Sequence, residues 1–383
     1  MTKRGVLIAS GVYLAASVGL AAWLLPAGRE QPPVAFPAPK PKAVWNRRDT
    51  TWEERTLALR QARVWTPIDV AATDVSVNPP DPAGTLSDPI VRCKYVDGPA
   101  HGTTTKFDCA LRDGEVVKVK YGFTGEKHAE VAASRLMSAL GFGADRMFVI
   151  ARVRCYGCVR TPFYTAWVFD RVHARERLME SVPADSYTDF EWVAVERRLG
   201  GAQIKVEDRE GWAWHELEPV DPSRGAHRAE RDALRLAAMF LAHWDNKPSN
   251  QRLLCLAPEG NGPCPNAFAY IQDLGATFGP NKMSLAHWKA APIWADAARC
   301  TVSMKQFPYN GGTFPNVQIS EAGRQLLARQ LAAFSDRQIA ALFTAARFPE
   351  FFGGKGEGAD INVWAQTFRE KVRQIVDRSP CPS

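Results

Sequence analysis

Two rhythms of hydrophobic and polar residues follow each other along the chain. Residues 115–122 (EVVKVKYG) alternate with a period of two, which predicts a strand with Lys118 and Lys120 on one face. Residues 126–143 repeat with helical spacing and end in glycines, so they predict a helix. We interpret residues 146–170 as strands with a tight turn at Tyr156-Gly157.

The second half of the chain is predicted to be mostly helical. Its predicted helices are 227–244, 320–334, 335–348 and 362–376, and a short earlier helix lies within 51–66. Ser335 and Gln338 have the spacing of a capping box. Residues 251–256 and 267–273 predict a hairpin. Strands and one helix therefore precede a helical part, which predicts an α+β chain with two lobes.

The first residues predict export. Lys3 and Arg4 precede Gly5–Gly28, a run with no charged residue. A run of this length is enough to cross a bilayer, and the basic residues before it favour a cytoplasmic N-terminus with an exported body. We favour an uncleaved signal-anchor over a cleaved signal peptide, because the apolar part of a signal peptide is usually shorter.

These patterns divide the chain into four parts. Residues 1–28 form the signal-anchor or signal peptide, and residues 29–89 form a proline-rich linker with one short helix. The compact domain is predicted at 90–352. Residues 353–383 are left as a C-terminal helix and tail.

Composition narrows the class of function only slightly. The 383 residues carry 48 Lys and Arg against 41 Asp and Glu, a formal net charge of +7. No basic cluster or known nucleic-acid-binding module accompanies this mild excess, so we expect no nucleic-acid partner.

Eight cysteines are consistent with export, because an even number in an exported chain suggests disulfides. Cys255 and Cys264 flank the loop of the predicted hairpin, so we expect them to pair. We further expect Cys155–Cys158 across the turn, with Cys93–Cys109 and Cys300–Cys381 using the remaining four. Zinc at Cys155-Tyr-Gly-Cys158 is the alternative, but no second C-x-x-C or paired His supplies the other two ligands.

A polar island between the long helix and the hairpin carries the candidate chemistry. Residues 243–250 read HWDNKPSN, and the hairpin is followed by Asp273-Leu-Gly275. Phosphoryl transfer needs cations on the phosphates, oxygen ligands for magnesium, and a base for the attacking hydroxyl. These two short stretches contain residues of each type.

The run 243–250 resembles the protein-kinase catalytic loop H-R-D-x-K-P-x-N, and Asp273-Leu-Gly275 resembles D-F-G. The strand VKVK followed by a helix containing Glu130 resembles the lysine strand and pairing helix of the kinase N-lobe. The resemblance covers about Ile90–Phe352. It is nearest in style to the atypical branch of the protein-kinase-like superfamily: the HipA-type kinases, the secretory-pathway casein kinases and the lipid kinases.

This resemblance implies a bilobal protein-kinase-like fold, with a strand-rich N-lobe and a helical C-lobe, that uses ATP and magnesium. Asp245 would be the catalytic base, and Lys247 would touch the transferred phosphate. Asn250 and Asp273 would hold magnesium. Lys120 would contact the α- and β-phosphates, with Glu130 as its ion-pair partner.

Several positions depart from the kinase pattern. Trp244 stands where the motif has Arg, residues 98–106 form a Thr-rich turn in place of a glycine-rich loop, and no A-P-E follows. Lys118 is an alternative to Lys120, since both lie on one face.

The main hypothesis is a membrane-anchored, exported phosphotransferase, and three others stay open. They are an inactive kinase-fold binding protein of the cell envelope, a nucleotidyl transferase on the same fold, and a purely structural envelope protein. The acceptor is a protein, a lipid head group or a sugar.

The topology has a direct test. Alkaline phosphatase fused after residue 383 should be active, because the predicted anchor places the C-terminus outside the cytoplasm. A cytoplasmic reporter at the same position should be inactive. The opposite pair of results would reject export.

Overall fold

The computed structural model describes residues 26–33, 35–41, 50–257, 263–279, 283–307 and 314–382. The predicted anchor, Gly5–Gly28, lies almost entirely outside these ranges, so it stays a prediction. Among the described residues, no helix is both long and apolar enough to span a membrane.

The chain forms two compact units. The first contains residues 1–40, 80–122 and 150–196, and the second contains residues 41–79, 123–149 and 197–383. The described strands are β1 Gly28–Arg29, β2 Val91–Val96, β3 Lys106–Leu111, β4 Val116–Lys120, β5 Arg146–Tyr156, β6 Ser186–Arg197, β7 Ala202–Gln203, β8 Gln251–Cys255, β9 Ala267–Ile271, β10 Thr301–Val302 and β11 Val317–Gln318. The described helices are α1 Trp52–Arg60, α2 Gly125–Ala139, α3 Pro162–Asp170, α4 Arg175–Glu180, α5 Arg228–Phe240, α6 Leu285–Ala290, α7 Glu321–Ala332, α8 Asp336–Ala345, α9 Phe348–Phe351 and α10 Ile361–Val376.

A six-stranded sheet organises the first unit. Its order is β1-β6-β4-β3-β2-β5, and β6 also pairs with β5. The β2–β5 pair is parallel, whereas β2–β3, β3–β4, β4–β6 and β1–β6 are antiparallel. In β4, Val117 and Val119 are buried on one face, as the alternation predicts, and the two lysines lie on the other.

An aromatic cluster packs in the same unit. The ring of Phe107 lies 4.8 Å from that of Phe190 and 5.6 Å from that of Tyr121, measured between centroids. Such tilted contacts are favourable beyond the area they bury.

The second unit is mainly helical, with a three-stranded sheet in the order β7-β8-β9 and a two-stranded one of β10 and β11. Helices α5 and α7 approach closely at Gly323, where an added Cβ would lie 2.6 Å from Cβ of Asp232. A stacked tryptophan pair, Trp288 and Trp364, lies in the core at 5.6 Å between ring centroids. Both indoles are fully buried.

Local capping fixes where the helices begin. The predicted box at Ser335 is confirmed, with the Ser335 side chain accepting from the backbone N–H of Gln338 at 3.2 Å and the Gln338 side chain accepting from the backbone N–H of Ser335 at 3.0 Å. Thr51 and Glu54 form a second box at the start of α1. Helix α5 starts where Glu230 accepts from the backbone N–H of His227 at 3.0 Å. Each cap satisfies backbone donors that the first helical turn leaves without partners.

One secondary-structure prediction is wrong. Residues 162–170, predicted as strand, form helix α3. The segment PFYTAWVFD is apolar almost throughout, so its pattern does not distinguish a buried strand from a helix. Pro162 at the first helical position favours the helix, because its fixed φ suits that position. Strands β2, β3 and β6, in contrast, were not predicted.

Two stretches predicted to flank the compact domain pack inside the second unit. Leu59 and Val64, from the predicted linker, are buried, and Arg55 makes an ion pair with Glu216 at 2.6 Å. Trp364 and Phe368 of the C-terminal helix are fully buried. These segments are therefore part of the core of the second unit.

The four disulfides are the four predicted pairs: Cys93–Cys109, Cys155–Cys158, Cys255–Cys264 and Cys300–Cys381. Their Cα–Cα distances of 5.5–5.7 Å lie within the ordinary range for a disulfide. The α+β composition is also confirmed, with most of the strands in the first unit and most of the helices in the second.

Two of the disulfides should differ in how much they stabilise the fold. Cys255–Cys264 spans 9 residues and Cys300–Cys381 spans 81. Chain entropy predicts a loss of about 2.6 kcal/mol for replacing the first pair with alanines and about 4.5 kcal/mol for the second. Guanidinium unfolding of each double variant in mild detergent, without reductant, measures both losses. An equal or reversed order would contradict the entropic account.

Candidate active site

The predicted catalytic loop follows α5 in the second unit. The helix ends where Ala242 adopts a left-handed φ of 50° and the backbone N–H of His243 bonds back to Ala238 at 2.9 Å. The backbone N–H of Phe278 donates to the carbonyl of Leu241 at 2.7 Å. The loop therefore leaves the helix in a direction set by backbone hydrogen bonds.

Two buried side chains support this loop from beneath. His243 is fully buried, and its Nδ1 lies 3.2 Å from the carbonyl of Ala276. Burial lowers the pKa of His243, so the ring is neutral near pH 7. Asn246 donates to the carbonyl of His243 at 3.0 Å and accepts from the indole of Trp214 at 3.3 Å. His243 is thus a packed core histidine rather than an acid–base group.

The polar residues of the loop point outward together. Lys247 Nζ lies 2.8 Å from Oδ1 of Asp245, and the two side chains are 49% and 23% exposed. Asn250 Nδ2 donates to the carbonyl of Asp245 at 2.7 Å, which closes the loop on itself. A carboxylate and an ammonium group are thereby presented side by side to solvent.

The hairpin brings the second motif beside the first. Strands β8 and β9 pair with Gln251 opposite Ile271, so the residues just outside the ladder also meet. The carbonyl of Asn250 accepts from the backbone N–H of Gln272 at 2.9 Å and from that of Asp273 at 3.1 Å. The ladder therefore holds the backbones of Asn250 and Asp273 next to each other.

Three carboxylates converge in the second unit. One oxygen each of Glu126, Glu130 and Asp273 lies within 4.8 Å of the other two. Glu126 and Glu130 stand one turn apart on α2, so they share a face, and both are buried. Buried carboxylates this close need protons or cations to offset their repulsion, and hard oxygen donors favour magnesium, calcium or manganese.

Gly275 makes this convergence possible. An added Cβ at Gly275 would lie 2.3 Å from Cγ of Glu126, far closer than two carbon atoms can approach. The backbone N–H of Gly275 also donates to Oδ1 of Asp273 at 3.2 Å. Steric exclusion by Glu126 therefore explains why the third position of the D-L-G motif is a glycine in this chain.

The predicted phosphate-binding lysine lies in the first unit, at the end of β4. Lys120 is 2% exposed, and its Nζ is 3.7 Å from Oε2 of Glu196. Lys118 Nζ is 3.0 Å from Oε1 of the same residue and remains 28% exposed. The shared partner confirms that both lysines lie on one face of the strand.

The structure thus brings together part of the predicted site and adds residues to it. Asp245, Lys247, Asn250, Glu130 and Asp273 all belong to the second unit, whereas Lys120 belongs to the first. Sequence reasoning missed Glu126 and Glu196. The i, i+4 spacing of Glu126 and Glu130 was a usable signal, whereas Glu196 lies on a strand that was not predicted.

Comparisons with known proteins give only distant similarities. No family model matches the chain, and no curated protein matches it. Among solved structures, the Helicobacter pylori proinflammatory kinase CtkA is similar over 74% of this chain and 93% of its own, at 10% identity and a TM-score of 0.42. A golgi casein kinase is similar over 92% of this chain and 96% of its own, at 11% identity and a TM-score of 0.36. Both are kinases, but TM-scores below 0.5 establish neither the fold family nor the activity of this chain.

Helix α2 also carries a buried histidine that should make stability depend on pH. His128 is 7% exposed, and its Nδ1 donates to the carbonyl of Ala346 at 2.8 Å. Burial lowers the pKa of His128 from 6.5 to about 4. The unfolded chain therefore binds this proton near pH 6.5, whereas the folded protein binds it only near pH 4. The stabilisation is complete above pH 6.5 and is lost as the pH falls towards 4.

We expect this histidine to reduce the free energy of unfolding by about 2 kcal/mol between pH 7 and pH 5. His128→Asn retains a donor for Ala346 but does not titrate, so the variant should lose less stability over the same range. Denaturant titrations of parent and variant at both pH values measure the difference. Parallel pH dependences would show that His128 does not contribute.

Proposed function

We propose that the chain is an exported, kinase-like phosphotransferase with a bilobal protein-kinase-like fold, which uses ATP and magnesium. The observation that carries the proposal is the convergence in the second unit of two buried carboxylates, Glu126 and Glu130, with the partly buried Asp273. Beside Asp273 the hairpin holds Asn250, at the end of a loop that presents Asp245 and Lys247. The combination is what phosphoryl transfer requires.

The donor set fits magnesium. Three carboxylate oxygens within 4.8 Å of one another are hard ligands of the kind magnesium prefers. Asn250 is the fourth candidate, from the resemblance to the kinase loop. When bound, magnesium neutralises the charge of the phosphates. The carboxylates of this chain hold that position, and Gly275 leaves the space that Glu126 needs.

Asp245 is the group placed to act on the acceptor. It is partly exposed, so a hydroxyl from solvent can reach it. As the acceptor oxygen forms its bond to the γ-phosphorus, the bond from that phosphorus to the β-phosphate oxygen breaks and ADP leaves. The hydroxyl proton passes to Asp245. Lys247 lies 2.8 Å from Asp245 and supplies positive charge for the transferred group.

Lys120 keeps the role that the resemblance implies, contact with the α- and β-phosphates. Its contact with Glu196 orients the ammonium group and favours the charged form, which burial by itself would disfavour. Glu130 remains the partner implied by the resemblance, and Glu196 is a second partner within the first unit. Lys118, which is more exposed and also contacts Glu196, is the alternative phosphate ligand.

Two features support export. Four disulfides are typical of proteins from oxidising compartments. The uncharged run after Lys3 and Arg4 is the expected membrane anchor. The acceptor class is a protein, a lipid head group or a sugar.

Two isosteric substitutions should separate binding from chemistry. Asp273→Asn removes a charged magnesium ligand, so it should weaken magnesium-dependent ATP binding and abolish turnover. Asp245→Asn should leave ATP binding nearly intact and slow phosphate transfer by about 10²–10⁴-fold, the range usual for a lost general base.

Lys120→Ala should raise the dissociation constant for ATP more than Lys118→Ala does. Calorimetry with ATP and magnesium, together with single-turnover transfer, measures each effect.

Asp208→Asn is the matched control, because this carboxylate in the second unit is fully exposed and lies 4.0 Å from its nearest ion-pair partner. It should change neither quantity. Unchanged ATP binding in both Asp273→Asn and Lys120→Ala, with ATP bound by the parent, would reject the site. Binding without any transfer would indicate a binding protein, and a nucleotidyl mass increment on the acceptor would indicate nucleotidyl transfer.

A further inference from the structure

Four cysteine sulfurs meet in the core of the first unit. Cys93 lies on β2, Cys109 on β3 and Cys155 near the end of β5, and Cys158 follows the turn after that strand. All four are fully buried. The Sγ atoms of Cys109 and Cys155 belong to different disulfides but lie only 3.6 Å apart. The two disulfides therefore form a single cluster, which we call the cysteine tetrad.

The register of the sheet creates this tetrad. Cys93 stands directly beside Cys155 in the parallel β2–β5 pair. Cys109 lies two residues along β3 from Leu111, which is opposite Cys93. The C-x-x-C motif thus obtains its second pair of cysteines from a neighbouring hairpin. The sequence showed no second C-x-x-C, so it gave no sign that this pair lies beside the motif.

Sulfurs that belong to different disulfides of the tetrad have a spacing close to that of a tetrathiolate metal site. Four sulfurs at about 2.3 Å from one zinc ion lie about 3.8 Å from each other. Sγ of Cys93, Cys109 and Cys155 all lie within 4.8 Å of one another, and Cys158 is bonded to Cys155. Once both S–S bonds are reduced, the paired sulfurs need to separate by about 2 Å to reach a tetrahedral arrangement.

The turn of the tetrad also suits a metal. Cys155-Tyr-Gly-Cys158 has the two-residue spacing that is common for zinc ligands. Gly157 adopts a left-handed φ of 67°, which lets the chain reverse tightly between the two cysteines. Cys255–Cys264 and Cys300–Cys381 differ, because no third cysteine accompanies either pair among the metal-ligating clusters of the described residues.

We propose that the cysteine tetrad is a two-state staple of the first unit: two disulfides when the chain folds under oxidising conditions, and a zinc tetrathiolate when it folds under reducing conditions. Two equivalents of a two-electron reductant, a dithiol or a phosphine, break both S–S bonds and deliver four electrons. Four protons complete the four thiols. Binding one Zn²⁺ releases those protons as the thiolates form.

Burial of the sulfurs determines at which stage the tetrad adopts the disulfide state or the zinc state. The sulfurs are out of reach of a reductant in the folded protein, since all four cysteines are 0% exposed. The state of the tetrad is therefore set while the chain folds. The disulfide state joins β2 to β3 and closes the turn after β5, whereas a zinc tetrathiolate would join all three strands.

Cobalt reports the site by absorption, because a tetrahedral thiolate complex of Co²⁺ is strongly coloured. The full chain is unfolded, reduced with a phosphine, and refolded in detergent with Co²⁺. We expect one Co²⁺ per chain, with thiolate charge-transfer and tetrahedral d–d bands, and displacement by one equivalent of Zn²⁺. Cys255→Ser/Cys264→Ser should bind equally, because that pair lies outside the tetrad.

A matched pair of variants separates ligation from folding. Cys158→Ser and Cys158→His both remove the same disulfide, but only His supplies a zinc ligand. Cys158→His should retain one Co²⁺ per chain with shifted d–d bands, and Cys158→Ser should lose stoichiometric binding. The proposal is overturned if the reduced parent takes up no stoichiometric Co²⁺, or if the two Cys158 variants bind alike.

Discussion

The repulsion among three neighbouring carboxylates is the constraint that the rest of the second unit has to satisfy. Two unit charges 4.8 Å apart repel by about 3.5 kcal/mol at an effective dielectric constant of about 20, and Glu126, Glu130 and Asp273 form three such pairs. A fold tolerates this only if cations or protons compensate, and if the backbone around the carboxylates is held by other interactions. A site that binds a divalent cation has this property. Binding of a divalent cation would offset this repulsion.

The surrounding structure holds the carboxylates in place from three directions. Helix α2 fixes Glu126 and Glu130 on one face, and its His128 bonds to the carbonyl of Ala346. The β8–β9 ladder fixes Asp273 beside Asn250. Gly275 leaves the space that Glu126 occupies. Burial of apolar groups such as the stacked Trp288 and Trp364 stabilises the fold and so offsets the repulsion among the carboxylates.

Each unit contains two disulfides, which lie close together in the first unit and apart in the second. The first unit is a sheet with few helices. One of its disulfides ties β2 to β3, and the other closes the turn after β5. In the second unit, one disulfide closes the β8–β9 hairpin and the other ties Cys300 to Cys381 near the C-terminus. The clustering of sulfurs in the first unit alone is what permits a metal to replace the disulfides there.

The secondary structure of this protein could largely be predicted from the sequence. Helical periodicity located α2, α5, α7, α8 and α10, and turn chemistry located the hairpin, because local contacts dominate these elements. Local spacing indicated Cys255–Cys264 and Cys155–Cys158, whereas the other two pairs were one of the three ways to join the remaining four cysteines. Helix α3 and strand β6 were missed, and β2, β3, α4 and α6 were not predicted either. Helix α3 is apolar on all sides, so no period is visible, and strand β6 is set by pairing with strands distant in the chain.

The residue types of the candidate site were visible in the sequence, since 243–250 and 273–275 stand out as polar motifs beside apolar elements. Only the tertiary structure decided which groups meet. It placed Glu126 with Glu130 and Asp273, gave Lys118 and Lys120 a shared partner in Glu196, and gathered four cysteines from three strands and a turn. Each of these encounters joins residues far apart in the chain, and sheet register and helix packing determine them, because no local preference encodes a distance between remote side chains.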